Sequence, residues 1–164
     1  MKFHSHPVAA RHDTSLGPVL LAATPRGLAG LWFEGQRHHP DAAAWQLDRS
    51  HAILVDAMRQ LDAYLSGRSA TFDLPLDLEA GTAFQQRVWR ALLDIPRGRS
   101  SSYRALGERI GAPSAARAVG AAVGRNPLSV VVPCHRVLGT DGSLTGYAGG
   151  LDRKTALLRL EGAL

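Results

Sequence analysis

The sequence predicts an α/β (α+β) chain in two parts: a small N-terminal antiparallel-sheet domain with a helix over residues 1–79, and a mainly helical domain over 80–164 that contains a helix-turn-helix. Three observations predict it. Short apolar runs joined by a turn signal fill the first half. A proline-interrupted stretch at 71–78 is followed by helical periodicity. Charge is also split between the halves: residues 1–80 carry 7 basic and 9 acidic side chains, and residues 81–164 carry 12 and 5.

GPVLLAAT (17–24) and LAGLWF (28–33), joined by Pro25, Arg26 and Gly27, predict a hairpin. GQRHHPDAAAW (35–45) is loop-like. Between His51 and Leu65, residues Leu54, Met58, Leu61 and Leu65 recur at helical spacing, and Ser66-Gly67 closes the run. TFDLPLDL (71–78) alternates, but Pro75 confines it to an edge strand or an extended linker, where the domain boundary falls. Thr82 is placed to cap FQQRVWRALLDI, in which Phe84, Val88, Trp89 and Leu92 form an apolar stripe ending at Ile95-Pro96.

Ser102 is placed to cap a short helix, Gly111-Ala112-Pro113 breaks it, and Ser114 is placed to cap a second helix running to about Gly124. This second helix is nearly smooth, because Ala115, Ala116, Ala118, Gly120, Ala121 and Ala122 leave few projections. Close helix packing would explain that. With Arg117 and Arg125 projecting, nucleic acid is the favoured explanation.

The 164 residues are 45% hydrophobic and 20% charged, a composition that folds rather than stays disordered. No apolar run approaches the roughly 20 residues of a membrane helix. The start, MKFHSHPVAARHDTS, lacks the apolar stretch of a secretory leader. One cysteine excludes an internal disulfide and multi-cysteine metal sites, and a cytoplasmic location is expected. No metal is expected: His4, His6 and His12 read as solvated. Net charge is +5, and 17 of the 19 cations are arginine. A basic second half suggests a polyanion partner, although an arginine-rich proteome explains bulk charge equally well.

SVVVPCHRVLG (129–139) carries the chemistry. Val130 to Val132 read as a buried strand, and Pro133 presents Cys134 at its exit. His135 and Arg136 follow, an imidazole and a cation of the kind that lower a thiol pKa. A lone cysteine is otherwise most often a small buried hydrophobe.

Pro133-Cys134-His135-Arg136-Val137, with Asn126-Pro127 before it and Gly146-Tyr147-Ala148-Gly149-Gly150 after it, closely resembles the O6-alkylguanine-DNA alkyltransferases. The match extends upstream through SSYRAL and SAARAVGAA and covers about 80–164. The resemblance implies stoichiometric, irreversible transfer of an alkyl group from guanine O6 in duplex DNA to Cys134, with the nucleotide flipped out of the stack. It leaves open whether O4-alkylthymine is accepted. It also implies that His135 takes the thiol proton through a water, Glu161 orients His135, and Tyr103 donates to the departing base. Asn126 would tie the second helix to the active-site strand.

On the DNA side the resemblance implies that Arg117 fills the vacated space. Ser114, Ala118, Ala121, Tyr103 and Arg125 would line a helix lying in the minor groove, about 6 Å wide. Val137, Tyr147, Ala148 and Gly149 would line the base pocket. No cofactor is implied, the partner is duplex DNA carrying alkylated guanine, no membrane is involved, and a monomer is expected. The structural zinc of some relatives lacks its cysteine here, and Ala148 stands where some have serine.

Three other readings compete. A non-catalytic alkylated-base sensor would lack the nucleophile that Cys134 supplies. A thiol hydrolase needs Cys134 and His135 on one face, whereas neighbours on a strand point apart. A transcription factor needs base-reading side chains, which Ala and Gly do not provide.

Overall fold

The computed structural model describes residue 3 and residues 6–164, and its first element is a strand that the sequence pattern did not announce. Strand β1 (Val8–Thr14) pairs antiparallel with β2 (Gly17–Thr24) in the register Val8↔Ala23 to Thr14↔Gly17. Arg11, His12 and Asp13 interrupt its apolar pattern, so pairing rather than hydrophobic alternation makes it a strand. The expected hairpin follows, with β2 antiparallel to β3 (Gly27–Phe33). The two-residue β4 (Gln46–Leu47) adds parallel to β1, for a sheet order β3-β2-β1-β4. Gly30 is required: a Cβ there would lie 1.8 Å from the Trp32 ring, which folds back across the strand.

Helix α1 (Ala52–Leu65) covers one face of the sheet through Leu54, Ala57, Met58, Leu61 and Tyr64. On the other face Trp32, Leu20 and Ala22 pack with Trp45 and Phe3. The 71–78 stretch is extended: the Leu28 N–H donates to Pro75 O (2.8 Å) and the Asp77 N–H to Leu28 O (2.8 Å). Pro75 therefore contributes the carbonyl its ring leaves free, as an edge position allows.

In the second half, α2 (Ala83–Leu93) begins with a complete capping box between Thr82 and Gln85. Ser102 caps α3 (Tyr103–Arg109) through the Ala105 N–H. After a turn with Gly111 at φ 72°, α4 (Ala116–Gly124) completes the two-helix unit. Ser114 does not cap α4. Ala115 stands at the cap with no side-chain bond, and Ser114 lies exposed one residue outside it. Trp89 on α2 donates from Nε1 to Ala122 O at 2.9 Å, which fixes α4 against α2.

Val130–Val132 are buried but form turns, not a strand. Two short strands, β5 (Ser101–Ser102) and β6 (Val137–Leu138), pair in parallel ahead of α5 (Leu151–Leu160). One apolar cluster runs from Leu21, Leu31 and Leu61 through Val88 and Trp89 to Val132 and Leu157, spanning both halves.

Candidate active site and nucleic-acid interface

The outer edge of β3 holds the segment that presents the thiol. Leu31 N–H donates to Pro127 O (2.8 Å) and Ser129 N–H to Leu31 O (2.9 Å). Beyond this clamp, Val130 has φ 71° at the centre of a three-residue turn closed by Val131 N–H to Ser129 O at 2.9 Å. A β-branched residue in that region is strained by about 1–3 kcal/mol. Burial of Val130, Val131 and Val132 in the core maintains it. The chain is thereby folded tightly enough for Cys134–Arg136 to form a single 3-10 turn. With no strand there, the alternation argument against a thiol hydrolase lapses.

Asn126 sits inside this fold. Its Nδ2 reaches Val132 O (2.8 Å), Cys134 Sγ (3.0 Å) and Leu128 O (3.3 Å), and its Oδ1 accepts from the Leu128 N–H (3.0 Å). One side chain therefore joins the end of α4 to the cysteine sulfur.

Burial pushes the Cys134 thiol up to about 11, against the opposing pull of the Asn126 hydrogen bond and the Lys154 charge. The resting group is a protonated thiol, contrary to the lowered pKa expected from an adjacent cation. Arg136 turns away: its Nε donates to Glu161 Oε2 (2.8 Å) and its Nη1 to Ile95 O (2.5 Å). The cation that acts on Cys134 is Lys154, fully buried on α5, with Nζ donating to Val137 O (2.6 Å) and Thr145 O (2.7 Å).

Glu161, which caps the end of α5, is buried rather than a surface residue. Burial alone would raise its carboxyl, but hydrogen bonds from His135 and Arg136 outweigh this and hold it at about 2. An ionised Glu161 accepts from His135 Nε2–H at 2.6 Å. The proton is thus placed on Nε2 and Nδ1 is left as the basic nitrogen. Nδ1 is buried without a hydrogen-bond partner among the described residues. Burial lowers the His135 pKa, with Glu161 opposing, so the imidazole stays neutral.

Cys134 lies at the bottom of a cleft of about 490 Å³. It is lined by Tyr103, Gly120 and Ala121 from α3 and α4, by Gly146, Tyr147 and Ala148 from the loop before α5, and by the exposed Arg37, His38 and Arg125. Gly120 faces the Tyr103 ring, which a Cβ would meet at 3.7 Å. Val137 and Gly149 are not among the lining residues; Val137 is fully buried under Lys154. Ser114, Arg117, Ala118, Ala121 and Arg125 are all exposed, spaced along one side of α4 and its flanks.

Sequence reasoning missed Tyr64, Lys154 and the Arg37–His38 pair. Lys154 had one signal, being a lysine where nearly every other cation is arginine. Tyr64 continues the α1 stripe three residues after Leu61, a spacing that places it inside but says nothing of what its hydroxyl meets. His12 faces Asp62 at 2.8 Å, and no three His, Cys, Asp or Glu residues cluster among the described residues. His4 lies outside the described residues. No described helix is long and apolar enough to cross a membrane.

Residues 83–163 match the family model for the 6-O-methylguanine DNA methyltransferase DNA binding domain. Residues 9–78 match that of the same enzyme's ribonuclease-like domain. The chain is 48% identical to the methylated-DNA–protein-cysteine methyltransferase of Mycobacterium leprae, over 91% of this chain and 88% of that one. It is 47% identical to that of Methanosarcina barkeri, over 91% and 93%. The crystal structure of Mycobacterium tuberculosis OGT in complex with DNA superposes with a TM-score of 0.86 at 46% identity, covering 95% of this chain and 93% of that one.

Proposed function

The chain belongs to the methylated-DNA–protein-cysteine methyltransferase family, and on that premise we propose that it repairs O6-alkylguanine in duplex DNA by moving the alkyl group irreversibly to Cys134. The observation that carries this reading is the buried thiol at the cleft floor, hydrogen-bonded to Asn126, with a neutral His135 whose Nδ1 is unsatisfied.

A thiol held near 11 does not ionise by itself at neutral pH. Its proton leaves only as the reaction proceeds, toward Nδ1 of His135 through a water, while Glu161 stabilises the imidazolium that forms. The sulfur attacks the alkyl carbon, an S–C bond forms, and the C–O6 bond breaks. The guanine departs with the bonding pair and takes a proton on a ring nitrogen, with the Tyr103 hydroxyl as the nearby donor. The thioether product has no ionisable hydrogen and no leaving group for water to displace, so each molecule acts once.

Reaching the alkyl carbon requires rotating the nucleotide out of the duplex, at about a few kcal/mol. The exposed Ala and Gly face of α4 fits a minor groove about 6 Å wide, and Arg117 on that face fills the space the base leaves. Arg125, in the cleft lining at the end of α4, meets the backbone. Tyr147 and Ala148 line the base pocket. The division at 79/80, a monomeric state and a cytoplasmic location complete the proposal.

The test is the intact mass of the protein after mixing with a duplex holding one O6-methylguanine. One added methyl per molecule, mapped to Cys134 and absent in Cys134→Ser, is the expected result. Lesion-selective binding with no mass change would replace transfer with sensing.

A further inference from the structure

We infer that Tyr64, from the N-terminal helix α1, is a positioning residue for alkyl transfer: its hydroxyl shares the Glu161 carboxylate with His135 and so limits how firmly that carboxylate holds a proton on the imidazole. The inference rests on the transfer reading above. It brings into the site a side chain from the half of the molecule that carries none of Cys134, His135 and Glu161.

The geometry is specific. Tyr64 OH donates to Glu161 Oε1 at 2.5 Å, the same oxygen that accepts from His135 Nε2 at 2.6 Å. Arg136 Nη2 donates to that oxygen at 3.1 Å and to the Tyr64 oxygen at 3.2 Å. The phenol ring is fixed. It stacks on Phe72 with centroids 4.7 Å apart, and the Arg97 guanidinium lies 5.2 Å from its centroid. Arg97 is itself held by Ser69 O (3.1 Å) and Leu160 O (2.7 Å). Only 1% of Tyr64 is exposed, so its hydroxyl exchanges this partner for no water.

Three donors therefore compete for one carboxylate oxygen. Each bond draws charge from Oε1, and a weaker acceptor stabilises an imidazolium less. The other charged and titratable groups acting on the pair are Arg136 on the 3-10 turn and Lys154 on α5, with Tyr147 in the cleft facing Glu161 and Arg97 over the Tyr64 ring. Arg136 and Lys154 act in the same direction as Tyr64, toward a neutral His135. Burial and the Glu161 bond raise the phenol to about 12, so it remains a donor throughout the neutral range.

Tyr64→Phe keeps the ring stack and removes only the hydroxyl. Two readouts on the full chain test it. In NMR titration of the labelled imidazoles, with His135→Asn assigning the signal, the His135 midpoint should rise by about 0.5–1 unit, part of the strength of a charged hydrogen bond. Transfer from O6-benzylguanine should slow about threefold to tenfold at pH values below the His135 midpoint and stay within about twofold above pH 8.5, because only the population of neutral base changes. If Tyr64→Phe fails to fold, fluorotyrosine at position 64 preserves packing and donates more strongly, and should shift the midpoint downward. An unmoved midpoint, or a loss uniform across pH, overturns the inference. Absence of transfer in the unaltered protein would instead refute the transfer reading, while the titration still decides the role of Tyr64.

Discussion

Asn126 donates from Nδ2 to the sulfur of Cys134 across 3.0 Å, two residues after helix α4 ends. The same amide holds Leu128 and Val132, so the Cys134 sulfur, the strained turn at Val130 and the end of the exposed small-residue helix share one anchor.

Asn126→Ala should accordingly lower both stability and rate. The buried Leu128 N–H is left unsatisfied, while the Leu128 and Val132 carbonyls each keep one backbone donor, so the cost is about 1–3 kcal/mol for one unsatisfied group. Transfer should slow by more than about tenfold as the thiolate loses its donor. Urea denaturation and single-turnover mass measurements check the two effects separately; a destabilised variant with undiminished transfer would refute the sulfur contact as functional.

Arg117→Ala removes an exposed side chain, and stability should stay within about 0.5 kcal/mol. Repair of O6-methylguanine in a duplex should fall well beyond any loss with free O6-benzylguanine, which needs no flipping. Equal losses on the two substrates would remove Arg117 from that step.

Affinity for duplex DNA should fall steeply with salt, because each phosphate neutralised releases counterions. The logarithmic slope should decrease by about one for Arg125→Ala if Arg125 meets a phosphate. A slope unchanged by that substitution would place Arg125 off the backbone.

Stability should depend on pH through Glu161. Its folded pKa is held at about 2, below the ordinary 4.5. Folding therefore favours the ionised form: the stabilisation is fully present above about pH 4.5 and is lost as pH falls toward 2. Glu161→Gln should be less stable at pH 6 and should lack this part of the acid decline in denaturation midpoints. A variant whose midpoint falls in parallel with the unaltered protein would show that other groups carry the acid transition.

Local signals were legible wherever a single element supplied them. The hairpin between Thr24 and Gly27 followed from its turn residues, α1 and α2 from apolar spacing, and the start of α2 from Thr82. Ser114 shows where such reasoning fails: a cap residue of the right type stands one position before the cap. Val130–Val132 show another failure. Three β-branched residues favour a strand, yet the clamp on Leu31 and the Asn126 bonds bend them into turns.

The sequence by itself determined the chemistry available to this protein: one thiol, an imidazole beside it, and a helix made smooth by Ala and Gly. These are properties of residue type and short spacing. Tertiary structure alone decided how that chemistry is tuned. It turned Arg136 away from Cys134 and toward Glu161, put Lys154 under the loop at Thr145, and brought Tyr64 from 97 residues away onto the Glu161 carboxylate. Burial, charge and hydrogen bonding act through space at a few ångströms, and no local pattern in a linear chain encodes which distant groups will meet at that range.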